Sequence, residues 1–193
     1  MFKKISLAAV VALSAALPMA AQAESNVTTG AGAINATARV NFSVTIPRFV
    51  FLQVGTGTLL AANSTINTIA FTPAVAVIGN SVAQAATAGS GDLGNGQVSV
   101  RVIGNAGPMT LGAIGPANLT SGTDTIPWTQ ITVAATGSAP THPTINGATV
   151  ALPATSGVVN TASTGVWTYS YANSITPAAG VYTGQVIYTA SAP

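Results

Sequence analysis

The sequence predicts an all-β fold, a single antiparallel β-sandwich, on three observations. Stretches that alternate apolar and polar residues recur along the chain, and clusters of Gly, Pro, Asn, Ser and Thr separate them. Thr, Val, Ile and aromatic residues fill the alternating positions, a composition that suits pleated, half-buried strands. Helix has one weak candidate, the Ala-rich stretch 82–88, and glycines bound it within two turns.

The first predicted strand is the most regular. In "INATARVNFSVTI" (34–46), Ile34, Ala36, Ala38, Val40, Phe42, Val44 and Ile46 fall on one side, and Asn, Thr, Arg and Ser on the other. A strand of this kind has an apolar face to bury and unpaired backbone groups on both edges, so it must join a sheet. That sheet belongs either to the same chain, giving a monomeric sandwich, or to a neighbouring copy, giving a fibre by strand addition. Phe42 is the largest apolar side chain on the inward side; if buried, its truncation to Ala would cost about 3–5 kcal/mol.

Further strands follow in order. Pro47 marks a break, and "RFVFLQVG" (48–55) continues as a second apolar run. Residues 66–78 read as one or two strands around Pro73, and 81–96 as a weak strand leading into a turn-rich loop. "QVSVRVIGN" (97–105) sets Val98, Val100 and Val102 on one face, and the adjoining "NAG" reads as a hairpin turn into 107–115. The remaining candidates are 127–135, 148–153, 165–173 and 180–190.

The ends of the chain bear on where it works. "MFKK", the apolar run after it and "AQA" (21–23) have the layout of a secretory signal peptide, with cleavage expected after Ala23. Residues 24–33 then form a flexible leader, and the sandwich domain spans 34–193. Removing the signal takes both lysines with it, leaving Arg39, Arg48 and Arg101 against Glu24, Asp92 and Asp124. Three scattered arginines make neither a phosphate-binding face nor a polybasic membrane patch. A chain so close to neutral repels its own copies weakly, which favours association. There is no cysteine, so an exported domain must rely on core packing and backbone ladders.

Catalytic and metal-binding chemistry is sparse. His142, the single histidine, lies in "APTHPT" and reads as a solvent-facing loop residue. Asp92 and Asp124 read as turn residues, and "GSGDLGNG" (89–96) lacks the Lys-Ser/Thr of a phosphate cradle. No enzyme, metal or cofactor is expected. Trp167, Tyr169 and Tyr171 alternate on one strand face. They read first as core or cross-strand partners and, alternatively, as an exposed strip that stacks on sugar rings.

The closing stretch "ITPAAGVYTGQVIYTASAP" (175–193) resembles the last strand of cysteine-free fimbrial subunits of the alpha, or class 5, chaperone–usher type. Gly180, Tyr182, Gly184, Val186 and Thr189–Ala190 carry the likeness, with Ala192 where the wider group has an aromatic, and Gly180, Tyr182, Gly184, Val186 and Tyr188 are the expected strand-pairing residues of this end. The same strand is also similar to WxL-type surface domains, without their Trp-x-Leu pairs. The resemblance implies an immunoglobulin-like sandwich that exposes or borrows a strand. It further implies self-association or related surface subunits as partners, with a periplasmic chaperone. The expected function is therefore an exported, non-enzymatic structural subunit of a fimbria-like filament on a Gram-negative-type cell. The location is periplasm, cell surface or outside. The alternative is a secreted module that binds glycan or cell wall.

Overall fold

A computed structural model describes residues 24–160 and 165–193. The expected signal segment lies outside the described residues. The chain divides after Ile46 into two units, Met1–Ile46 and Pro47–Pro193, and every described strand lies in the second.

The second unit is an all-β sandwich, and its longest strand organises it. β3 (Gln97–Gly104) buries every second residue, because Val98, Val100 and Val102 share one face and Ser99 and Arg101 fall on the other. β1 (Val50–Val54) pairs with β3 on one edge, and β10 (Val166–Tyr171) with its other edge, both antiparallel. β7 (Ile131–Thr136) covers the far side of β10, while β2 (Gln84–Ala85) and β9 (Val159–Asn160) add short pairings. A second sheet has the order β11–β4–β8, made of Ile187–Ser191, Met109–Ile114 and Val150–Leu152. A hairpin of β5 (Asn118–Ser121) and β6 (Asp124–Pro127) stands apart from both. Helical structure among the described residues is limited to two 3-10 turns, at Val75–Val77 and Trp128–Gln130.

The core lies between the two sheets. Val98, Val100, Val102 and Trp167 of the larger sheet meet Met109, Leu111 and Leu152 of the smaller one. Burying an aliphatic or aromatic side chain of this kind contributes roughly 1.5–3 kcal/mol, so this short row carries much of the fold.

Four readings of the chain need correction. Residues 34–46 form no strand in the structure, and their large apolar side chains are exposed, Phe42 at 90%. Residues 66–78 are not strands either. Pro73 removes a ladder donor, and the segment instead accepts scattered bonds at Thr68 and Ala70 before a 3-10 turn. Residues 105–107 do not make a hairpin, since β3 and β4 belong to different sheets. The Asn105 side chain is engaged with Phe49 and Pro47 ahead of β1, and Gly107 takes φ +92 as the chain crosses the core. Finally, 180–190 splits: β11 begins only at Ile187, and Thr183 bridges to Thr120 on the separate hairpin.

Candidate functional site

Two features of the molecule bear on function, and both involve β11. The first is an open edge of the sandwich. Among the described residues β1 pairs only with β3, and β11 only with β4, so each leaves one edge free. The two lie side by side across the core. Arg48, two residues ahead of β1, donates from Nη2 to the backbone oxygen of Pro193, two residues past the end of β11, at 2.7 Å.

The core beneath these lips is incompletely covered. Leu52 and Val54 from β1, and Tyr188, Ala190 and Ala192 from the β11 arm, pack against it yet stay only half-buried. Half-buried apolar side chains beside the free backbone edge of β11 have the form of a slot for one more strand.

The first unit carries the kind of segment such a slot would take. Ile34, Val40, Phe42, Val44 and Ile46 are all exposed, and the smaller Ala36 and Ala38 of the same row are exposed too. Their polar neighbours are partly engaged within the unit: Arg39 pairs with Glu24 at 2.7 Å, and Thr28 donates to the Asn35 carbonyl. That ion pair draws the Glu24 carboxyl below its usual range, through the hydrogen bond from Arg39.

The residues of the closing segment divide between two tasks. Gly184 sits where a Cβ would come within 2.9 Å of Leu119 Cδ2 and 3.0 Å of Trp128 Cζ2. A side chain at Gly180 would likewise collide with Ser121. Both glycines therefore let residues 180–184 press against the β5–β6 hairpin and the Trp128 ring just beyond it. Tyr182 donates to the Ala178 carbonyl at 2.9 Å, and Val186 is half-buried where the chain turns into β11. Beyond them Tyr188, Ala190 and Ala192 pack against the core.

The second feature is the cluster around that tyrosine. Trp167, Tyr169 and Tyr171 are 0%, 8% and 6% exposed, so they form core and offer no strip to a sugar ring. The physical reason is that β10 lies between β3 and β7, with this face turned to the opposite sheet. Trp167 Nε1 donates to the Pro140 carbonyl at 2.8 Å, while the Tyr171 hydroxyl is buried without a hydrogen-bond partner.

His142 is not the solvent-facing residue that its loop suggests. Pro140 and Pro143 are buried, and they draw the ring half into the core. There it meets Trp167, Tyr169 and Tyr188 edge-on, at centroid distances of 4.6, 5.8 and 5.5 Å. Its Nε2 lies 2.8 Å from the Tyr188 hydroxyl, which lies 2.9 Å from that of Tyr169. Burial pushes the imidazole down to about 4, only partly opposed by the Pro143 backbone. It also pushes the Tyr188 hydroxyl up to about 12. The ring is therefore neutral at ordinary pH.

This arrangement has no acid to orient the histidine. Glu24 is taken by Arg39, the Asp92 carboxylate accepts from the Ser99 amide at 2.9 Å, and Asp124 belongs to the β5–β6 hairpin. Among the described residues no three His, Cys, Asp or Glu side chains gather as a metal site. A cleft of about 250 Å³ opens between β7 and residues 142–145, lined by Trp128, Ile131, Val133 and His142 among others, with no carboxylate in its wall. The His142 cluster carried no signal in the sequence beyond its two flanking prolines. Comparison with protein-family models, curated proteins and solved structures finds no match to the chain.

Proposed function

We infer that this chain is an exported, non-enzymatic structural subunit of a fimbria-like surface filament, assembled by β-strand pairing between copies. One observation carries the reading. An alternating apolar row, 34–46, stands outside every sheet, while the sandwich leaves two adjacent edges free over a half-covered core. Laying residues 34–46 of a second copy along that slot would satisfy both needs: apolar side chains cover the half-buried residues, and backbone groups pair with the free edge of β11. Repeated head to tail, this heterologous contact does not close on itself and yields a fibre.

In this reading the domain is an immunoglobulin-like sandwich lacking one strand, as the fimbrial resemblance implies. A periplasmic chaperone covers the slot until assembly, and the filament stands on the surface of a Gram-negative-type cell. The near-neutral charge supports close packing of copies.

The test is negative-stain microscopy of material sheared from cells with and without the gene, alongside sedimentation of the purified protein. Gene-dependent filaments are expected. Unchanged filaments together with a strictly monomeric product would overturn the reading.

A further inference from the structure

The slot and the histidine cluster share one residue, Tyr188, and that sharing has a chemical consequence. β11 forms one lip of the open edge, and Tyr188 is the largest side chain it sends inward. That side chain is held in place by a chain of three groups, Tyr169, Tyr188 and His142. One arrangement gives each of their protons an acceptor: Tyr169 donates to Tyr188, and Tyr188 donates to Nε2 of a neutral imidazole.

Protonating His142 makes Nε2 a donor and reverses the chain. Tyr188 must then accept from the imidazolium and donate to Tyr169, whose own proton loses its acceptor inside the core. The cation would also stand among Trp167, Tyr169 and Tyr188. From β10 the titratable group facing it is Tyr169, and from β11 it is Tyr188. β7 and residues 128–145 contribute no other ionisable side chain. No carboxylate is there to compensate the charge, so moving the ring or opening the cluster is the available relief.

We propose that His142 is an acid-operated latch on β11: protonating it unseats Tyr188 and weakens the hold of the open edge on an incoming strand. The latch rests on the reading of the β1/β11 edge as a strand-binding slot. Its range lies well below neutrality, so a filament would be stable in ordinary media and loosen in acid.

The full chain supplies its own probe, because it holds one histidine. Three measurements are made on it between pH 8 and 3.5: the imidazole Cε1–H resonance by NMR, amide hydrogen exchange across β11, and binding of a fluorescent peptide spanning residues 34–46. The expected result is a resonance midpoint near 4. Around that same midpoint, β11 exchange should accelerate and peptide affinity should fall about tenfold or more. His142→Phe is the control, keeping an aromatic ring without a titrating group. Its peptide binding should lose the acid-dependent step. Tyr188→Phe, which keeps the ring packing and breaks the hydroxyl chain, should move the histidine midpoint.

A histidine midpoint near 6.5 would overturn the latch, as would peptide affinity and β11 exchange that ignore the titration. An acid-dependent step that persists in His142→Phe would do so too. Failure of the peptide to bind at neutral pH would overturn the slot itself. In that case a histidine-linked change in β11 exchange would still stand as a property of the cluster.

Discussion

Arg48 and Pro193 are 145 residues apart in the chain, and they meet at one corner of the sandwich through a 2.7 Å hydrogen bond. The contact fixes the entry of β1 beside the exit of β11, and so sets the mouth of the open edge. Arg48 is exposed, so the bond is worth less than the roughly 1.5–3 kcal/mol of a protected charged one. Arg48→Ala should lower unfolding free energy by about 1 kcal/mol or less in urea titration. Faster amide exchange should appear at the ends of β1 and β11, with β3 unchanged.

A sharper contrast separates the core from the leading segment. Trp167 is fully buried, with its indole N–H satisfied by Pro140. Trp167→Ala should cost about 3–5 kcal/mol, enough to threaten folding. Alternation predicts the same for Phe42, which is instead exposed in the isolated subunit. Phe42→Ala should therefore change monomer stability by no more than about 0.5 kcal/mol. Its effect should appear in assembly. Urea midpoints of the two monomeric variants, measured side by side, check both statements.

The difference between these two residues shows the reach of alternation in a sequence. Trp167 and Val100 were legible because a period of two predicts which residues share a face, and both strands do bury that face. The same period at 34–46 predicts a shared face just as well, but a pattern cannot name the molecule that covers it. The "NAG" turn failed for a related reason. Two alternating runs joined by a short turn fit a hairpin within one sheet or a crossing between two, and the choice depends on which edge Asn105 meets. The split at Gly184 depends on Leu119 and Trp128, which are distant in sequence. The burial of His142 depends on rings from other segments, and no spacing rule reaches it.

Gly184 offers a local test of that split. An Ala there places a methyl group against Leu119 and Trp128 at 2.9 and 3.0 Å, and the indole is not the free end of a flexible chain. Overpacking of this sort costs about 1–3 kcal/mol. Gly184→Ala should lower the urea midpoint and shift the emission of Trp128, while Gly112→Ala, facing only the Thr149 methyl, should do less.

The pH dependence of monomer stability follows from His142. Its folded value, about 4, lies below the ordinary 6.5, so the unfolded chain takes up the proton first. The stabilising effect of the neutral ring is therefore complete above about pH 6.5, declines as pH falls, and is lost below about 4. The gap between the two values corresponds to a ceiling of about 3.4 kcal/mol. The ring is only half-buried, so screening by solvent reduces this to about 1–2 kcal/mol. Urea unfolding at pH 7 and pH 4 should show that loss in the parent chain and a smaller one in His142→Phe.

The last prediction tests which molecule covers residues 34–46. Val40 sits at the middle of the apolar row and is 59% exposed in the isolated subunit. If that row lies in its own core, Val40→Asp buries an unpaired carboxylate, which costs several kcal/mol, and the protein should misfold. If the row is donated, the variant should fold with an unchanged urea midpoint, because the charge stays in water until assembly. It should then fail only as a donor. Its own slot is intact, so it should still bind a parent peptide of residues 34–46 and cap growing filaments at one end. Sedimentation of the variant alone and mixed with parent chain reads both outcomes. A folded variant that polymerises like the parent would remove residues 34–46 from the assembly altogether.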